Sequence, residues 1–315
     1  MRCLLIVIAL TASPAVAERI ELPVRMVVGR GGVPRFAVTI SINGQPVEAG
    51  LDTGSTGLRV LAPALSDGAG LKGPPARIAF NAGVIVTGPM VRVKVGYGTR
   101  EPRSSRVQRI DRVTCNDRMP ACATADLDPA RFGIMGDNVP GQGFRAIFGI
   151  GMRQDALPNP LVEQGADRWI VELPRTPSEA GRLVIDPTAA EIAGYKAFRM
   201  IAGSNAVAGC VSSATTKLCA PAVIDTGAPG IQVFGGKPGD VLANGTAATL
   251  TIGDETSVAA MPVTIGRRDQ ATAMRSSPAR RSGEVELSLG LAPYLRWSIL
   301  YDARARTIAV AERSR

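Results

Sequence analysis

The tripeptide Asp-Thr-Gly occurs twice in this chain, at Asp52 and again 173 residues later at Asp225, each time at the tip of a short apolar run. The first copy reads VEAGLDTGSTGLRVL and the second PAVIDTGAPGIQVF. Alone, either copy reads as an ordinary turn, because Asp, Thr and Gly are common turn residues. Together they do not. Gly57 matches Gly230, and Pro89 matches Pro262 at the same offset. IAFNAGVIVTGPMVRVKVG follows the first copy where LTIGDETSVAAMPVTIG follows the second, and AIFGIG is echoed farther on by LSLGL. A period this long is a lobe and not a solenoid repeat. A chain of 315 residues has room for two lobes.

The lobes are expected to be β. Strand-sized apolar runs punctuated by Gly and Pro continue to the C-terminus, among them RFAVTISI, MVRVKV, RLVID, ATLTI and WSILYD. One short helix is expected around Pro160 to Gly165. Aromatic residues are only 4% of the chain, so the core must be filled mainly by Val, Ile, Leu and Ala.

Residues 1–17, MRCLLIVIALTASPAVA, read as a signal peptide: Arg2 supplies the positive start, LLIVIAL the apolar run, and Ala15-Val16-Ala17 the cleavage site. The run is too short to span a bilayer, and no other segment is long enough. Export to a periplasmic or extracellular space is expected, with the mature chain starting near Glu18. Cys3 would leave with the leader. The remaining cysteines form two locally spaced pairs, Cys115 with Cys122 and Cys210 with Cys219, and export makes disulfides the preferred reading. A zinc site is the alternative, but there is no CxxC and no histidine. The lack of histidine also excludes Ser-His-Asp and Cys-His catalysis and any His-ligated metal. No cofactor is expected.

The formal charge is +9, and Arg2 would take one unit of it away with the leader. Arg100, Arg103, Arg106, Arg109 and Arg112 recur at every third position. This spacing reads either as a solvated loop face or as a stripe for an anionic envelope polymer, with the first preferred. No nucleic-acid motif accompanies the charge. Gly141-x-Gly143-x-x-Ala146 lacks the strand-turn-helix surroundings of a dinucleotide loop.

The paired motifs resemble those of the pepsin-like aspartic proteases, and the likeness covers nearly all of the mature chain. RFAVTISINGQPVEAGLDTGST resembles that family's first strands and first catalytic loop. FRAIFGIG resembles the segment supporting that loop, and LGLAPYLRWSILYDARARTIAVA the C-terminal segment. The resemblance implies two similar β-barrel-like lobes with a cleft between them, an N-terminal lobe at 18–187 and a C-terminal lobe at 188–315. It implies Asp52 and Asp225 as a catalytic dyad around a water molecule. Thr53 and Thr226 should bond across the lobe junction, while Gly54, Gly227 and Ser55 support the carboxylates. Two carboxylates so close cannot both ionise easily and would share one proton.

Some features depart from the family pattern. A hairpin closes over substrate in that family, usually with a tyrosine near its tip. Tyr97-Gly98-Thr99 copies the local wording, but the internal repeat favours Ile78 to Gly88, which puts Phe80 at the tyrosine's place. Arg59 stands where the family has a tryptophan bonded to that tyrosine. Ala228 follows the second Asp-Thr-Gly where a hydroxyl is usual. Too few residues lie between Glu18 and Asp52 for a helix-rich propeptide as well as the first strands, and a leader without a propeptide suggests a bacterial exported form. Two function classes follow: an exported aspartic endopeptidase acting on peptide or protein substrates, or a non-catalytic cell-envelope protein that uses the same cleft to bind peptide or another polymer.

Overall fold

The structure, a computed structural model, describes residues 18–65, 71–81, 83–117, 119–120, 122, 130–136, 139, 141–254, 256–266, 271–280 and 283–313. The leader read in residues 1–17 lies outside them.

The first lobe contains a hairpin whose turn is written in the sequence. Pro34–Ile42 and Gln45–Asp52 pair antiparallel, joined by Asn43-Gly44. Both turn residues have positive φ, 50° and 81°. Two consecutive positive φ angles define the turn whose twist matches a hairpin, and Asn-Gly adopts it at least cost. The second strand delivers Asp52 at its end. It runs parallel to Ala146–Ile150, with Asp52 opposite Gly149. The chain then turns through Thr53-Gly54-Ser55 and leaves as Thr56–Leu61, which pairs with the other side of Ala146–Ile150.

The second lobe repeats this arrangement. Lys217–Ile224 runs parallel to Glu286–Gly290, and Ile231–Phe234 pairs antiparallel with the same strand. In both lobes a glycine sits at or next to the end of the central strand, because the Asp-Thr-Gly loop wraps over that end. A Cβ on Gly149 would fall 2.7 Å from the Gly57 carbonyl oxygen and 2.9 Å from Ser55 Oγ, and one on Gly290 would fall 2.8 Å from the Ala228 carbonyl oxygen. The hairpins repeat as well. Pro75–Ala79 pairs with Val84–Gly96, and Ala247–Gly253 pairs with Val258–Thr264.

The halves are joined by a shared sheet. Lys196–Arg199, Thr307–Glu312, Trp297–Asp302, Arg168–Glu172, Gly181–Ile185 and Ile20–Val28 lie side by side in that order. Trp169 stacks on Tyr301 across it, with ring centroids 5.9 Å apart. The expected boundary at 187/188 falls just after Gly181–Ile185 and before the short helix Ala189–Ile192. The helix expected around Pro160 is Pro160–Glu163. Asn159 caps it by accepting from Leu161 N–H, and proline occupies its first position. This is a mostly β, two-lobed molecule. No helix among the described residues is long and apolar enough to cross a membrane.

Both expected disulfides are present. Cys115 bonds Cys122, and Cys210 bonds Cys219 directly across a hairpin pair of Val207–Ser212 with Lys217–Ile224. Mass spectrometry of the unreduced protein is expected to return these two local links. A Cys115–Cys210 crosslink, or free thiols at either pair, would contradict the pairing.

The arginine series is corrected by the fold. It belongs not to a loop but largely to a strand, Arg103–Ile110, whose side chains alternate between faces. A spacing of three therefore sends Arg106 to the face opposite Arg103 and Arg109. Several members are also engaged: Arg100 with Asp186 at 3.0 Å, Arg103 with the Gln164 carbonyl, Arg106 with Glu163 and Arg109 with Asp111. They do not form a stripe for an anionic polymer.

Candidate active site

Asp52 and Asp225 meet at the floor of a cavity of about 450 Å³, both in its lining. They are 5% and 9% exposed, so neither could be buried here without partners. The loops that carry them are locked together. Thr53 N–H donates to Thr226 Oγ1 and Thr226 N–H to Thr53 Oγ1, both at 3.0 Å. Each hydroxyl then donates into the other lobe's incoming strand, Thr53 to the Ile224 carbonyl at 2.9 Å and Thr226 to the Leu51 carbonyl at 2.7 Å. This exchange holds two carboxylates from distant parts of the chain in one place. Gly54 and Gly227 permit the approach. A Cβ on Gly54 would occupy the site of the Asp225 carboxyl, and one on Gly227 would lie 3.0 Å from Asp52 Oδ1.

The two carboxylates are not equivalent. Asp52 Oδ1 accepts from Gly54 N–H at 2.8 Å and Ser55 N–H at 3.0 Å, and Oδ2 accepts from Ser55 Oγ at 2.6 Å. Asp225 accepts from Gly227 N–H at 2.8 Å. Ala228 has no hydroxyl with which to repeat the Ser55 bond. Burial, followed by the charge of Asp52, pushes the Asp225 pKa up to about 7. With one backbone donor beside it, burial and the neighbouring Asp52 charge favour the neutral form of Asp225.

Phe80 and Asn81 line the cavity from the turn of the Pro75–Ala79 hairpin, the candidate flap; Ala82, in the same turn, lies outside the described residues. Tyr97 is elsewhere. It is 1% exposed, packs on Phe148 and donates its hydroxyl to the Pro160 carbonyl at 3.0 Å. Arg59 is 2% exposed beneath the cleft. Its guanidinium donates to the Thr56 carbonyl at 2.8 Å and Gln108 Oε1 at 3.1 Å, and lies 3.6 Å from the Asp155 carboxylate. It fills the position as a buried, hydrogen-bonded cation and does not reach for the flap.

Sequence reading missed several supports. Tyr294, fully inside the molecule, places its hydroxyl 3.2 Å from Thr53 Oγ1 and 2.7 Å from the Tyr301 hydroxyl. Thr53's proton goes to Ile224, so Tyr294 is the donor in that contact. Asn205 Nδ2 donates to the Gly54 carbonyl at 3.1 Å. Neither residue lies near an Asp-Thr-Gly motif in sequence, and nothing local marks them. Arg35, Arg153 and Arg280 also line the cavity and come from three separate segments.

The chain has the two-lobed β fold of the pepsin-like aspartic proteases. It is similar to the crystal structure of the aspartic proteinase from Irpex lacteus, with a TM-score of 0.61 and 13% identity over 94% of this chain and 98% of that one. No protein-family model and no curated protein sequence matches the chain.

Proposed function

We propose that this protein is an exported aspartic endopeptidase with Asp52 and Asp225 as its catalytic dyad. One observation carries the reading: two carboxylates from equivalent loops share a cleft floor with unequal hydrogen bonding. Asp52, ionised, takes a proton from a water molecule. The resulting hydroxide oxygen bonds to the scissile carbonyl carbon while Asp225 gives its proton to the carbonyl oxygen. Collapse of the tetrahedral diol breaks the C–N bond, with a proton passing to the leaving amine. No covalent enzyme intermediate is required. Phe80 is proposed to close over the bound peptide, and the lobes are assigned to 18–187 and 188–315. Two disulfides and the expected leader support an exported location, for which we propose a bacterial periplasm.

The second reading is a non-catalytic binding protein. Ala228 favours it, although its missing hydroxyl removes neither carboxylate. Digestion of a mixed peptide library across pH decides between them. Internal cleavage blocked by a statine-type peptide, whose hydroxyl occupies the place of the attacking water, is the expected result. Peptide binding without cleavage at any pH would select the binding protein.

A further inference from the structure

The cavity around the dyad has two chemistries. Ile78, Phe80, Val86, Ile110 and Phe132 give it an apolar wall, yet Arg153 and Arg280 open into the same space. Arg280 is held from behind. Its guanidinium lies over the Phe234 ring, 4.0 Å from the centroid, and Nη1 bonds Glu286 Oε2 at 3.0 Å. Its other N–H groups have no hydrogen-bond partner among the described residues. Arg153 is exposed and has neither a hydrogen bond nor an ion pair among the described residues. The nearby Asp155 faces the buried Arg59.

Burial lowers the pKa of Arg280 and the charge of Arg153 lowers it further, while Glu286 and Asp225 oppose the shift. Glu286 satisfies one edge of Arg280, whose guanidinium still lines the cavity. An arginine fixed over an aromatic ring with free N–H groups is preorganised to receive a planar carboxylate.

We infer that Arg153 and Arg280 form an acidic-side-chain subsite, so that the cleft selects peptides carrying Glu or Asp at one position near the scissile bond. This rests on the endopeptidase reading for its turnover assay, but not for its binding assay. Peptide pairs that differ only as Glu or Gln, scanned through each position around the cleaved bond near pH 6, provide the test. At one position Glu is expected to exceed Gln by about tenfold in kcat/KM, the size of one charge-assisted hydrogen bond. The preference should shrink as salt is raised. It should fall toward unity in Arg280→Gln and turn toward Lys in Arg153→Glu. Arg280 packs on Phe234, so the exposed Arg153 supplies the variant that keeps the fold. Equal rates for Glu and Gln at every position, or a preference untouched by Arg153→Glu and Arg280→Gln, would overturn the subsite. If no peptide is cleaved, the endopeptidase reading fails on its own. Fluorescence anisotropy with the same pairs then decides the subsite, with tighter binding of Glu sustaining it and equal binding refuting it.

Discussion

Asp52→Asn and Asp225→Asn are each expected to lower kcat/KM by on the order of 10^3-fold or more, with the fold intact. An amide at position 52 cannot take a proton from water. At position 225 it can donate a hydrogen bond to the carbonyl oxygen but cannot transfer the proton. Because the two carboxyls act as a unit, the double variant should be hardly worse than either single one. The same substitutions should leave the protein at least as stable as wild type above neutral pH. The raised pKa of Asp225 records the cost of charging it beside Asp52 in a buried site, and Asn removes that charge. Steady-state kinetics paired with thermal unfolding at about pH 8 would check both halves. Near wild-type turnover in either variant would remove the dyad from the mechanism.

Activity is expected to peak in mildly acid solution, roughly pH 4–6, and stability to fail well before strongly acid conditions. The alkaline limb follows from Asp225. Its pKa, pushed up to about 7 by burial and by Asp52, means that the shared proton is lost as pH passes through neutrality. The fold should feel this too. A raised acid contributes stability below its ordinary value of 3.8 that is lost as pH rises toward 7. The acid limb has the opposite sign. The Arg19 side chain, followed by Thr188, holds Glu191 at about 2, so its contribution is complete above its ordinary 4.5 and is lost as pH falls from there. Burial works against Glu172, but hydrogen bonds from Arg182 and Ser298 outweigh it and hold that carboxyl low as well. With 36 Lys and Arg against 27 Asp and Glu, protonating the acids also leaves a strongly positive chain that repels itself. Ala228→Ser would restore the missing hydroxyl beside Asp225 and is expected to move the alkaline limb down by about one pH unit. A profile peaking near pH 2 with native circular dichroism, or an alkaline limb indifferent to Ala228→Ser, would contradict this account.

The repeat made most of the architecture readable in advance. Asn43-Gly44 marks its own turn because few other residues accept two positive φ angles, and each Asp-Thr-Gly marks a strand tip because its pattern is local. Equal spacing in the two halves then brings Thr53 and Thr226 together, and with them Asp52 and Asp225. Competition between Tyr97 and the Ile78–Gly88 hairpin was also open to the sequence, through the register of the repeat. The arginine series was misleading because a period of three has no meaning until the local structure is known. A strand with period two divides the series between faces and sets its members against acids from other segments.

The sequence by itself determined two β lobes, the paired aspartates, the two disulfides and the absence of histidine chemistry, since each depends on neighbours in the chain or on composition. Only the tertiary structure decided that Asp52 has three hydrogen-bond donors where Asp225 has one among the described residues, that Tyr294 and Asn205 brace the first loop, and that Arg153 and Arg280 enter the same cleft. The last two depend on burial and on distances between residues far apart in sequence, and both arise only when the sheets of the two lobes close on one another.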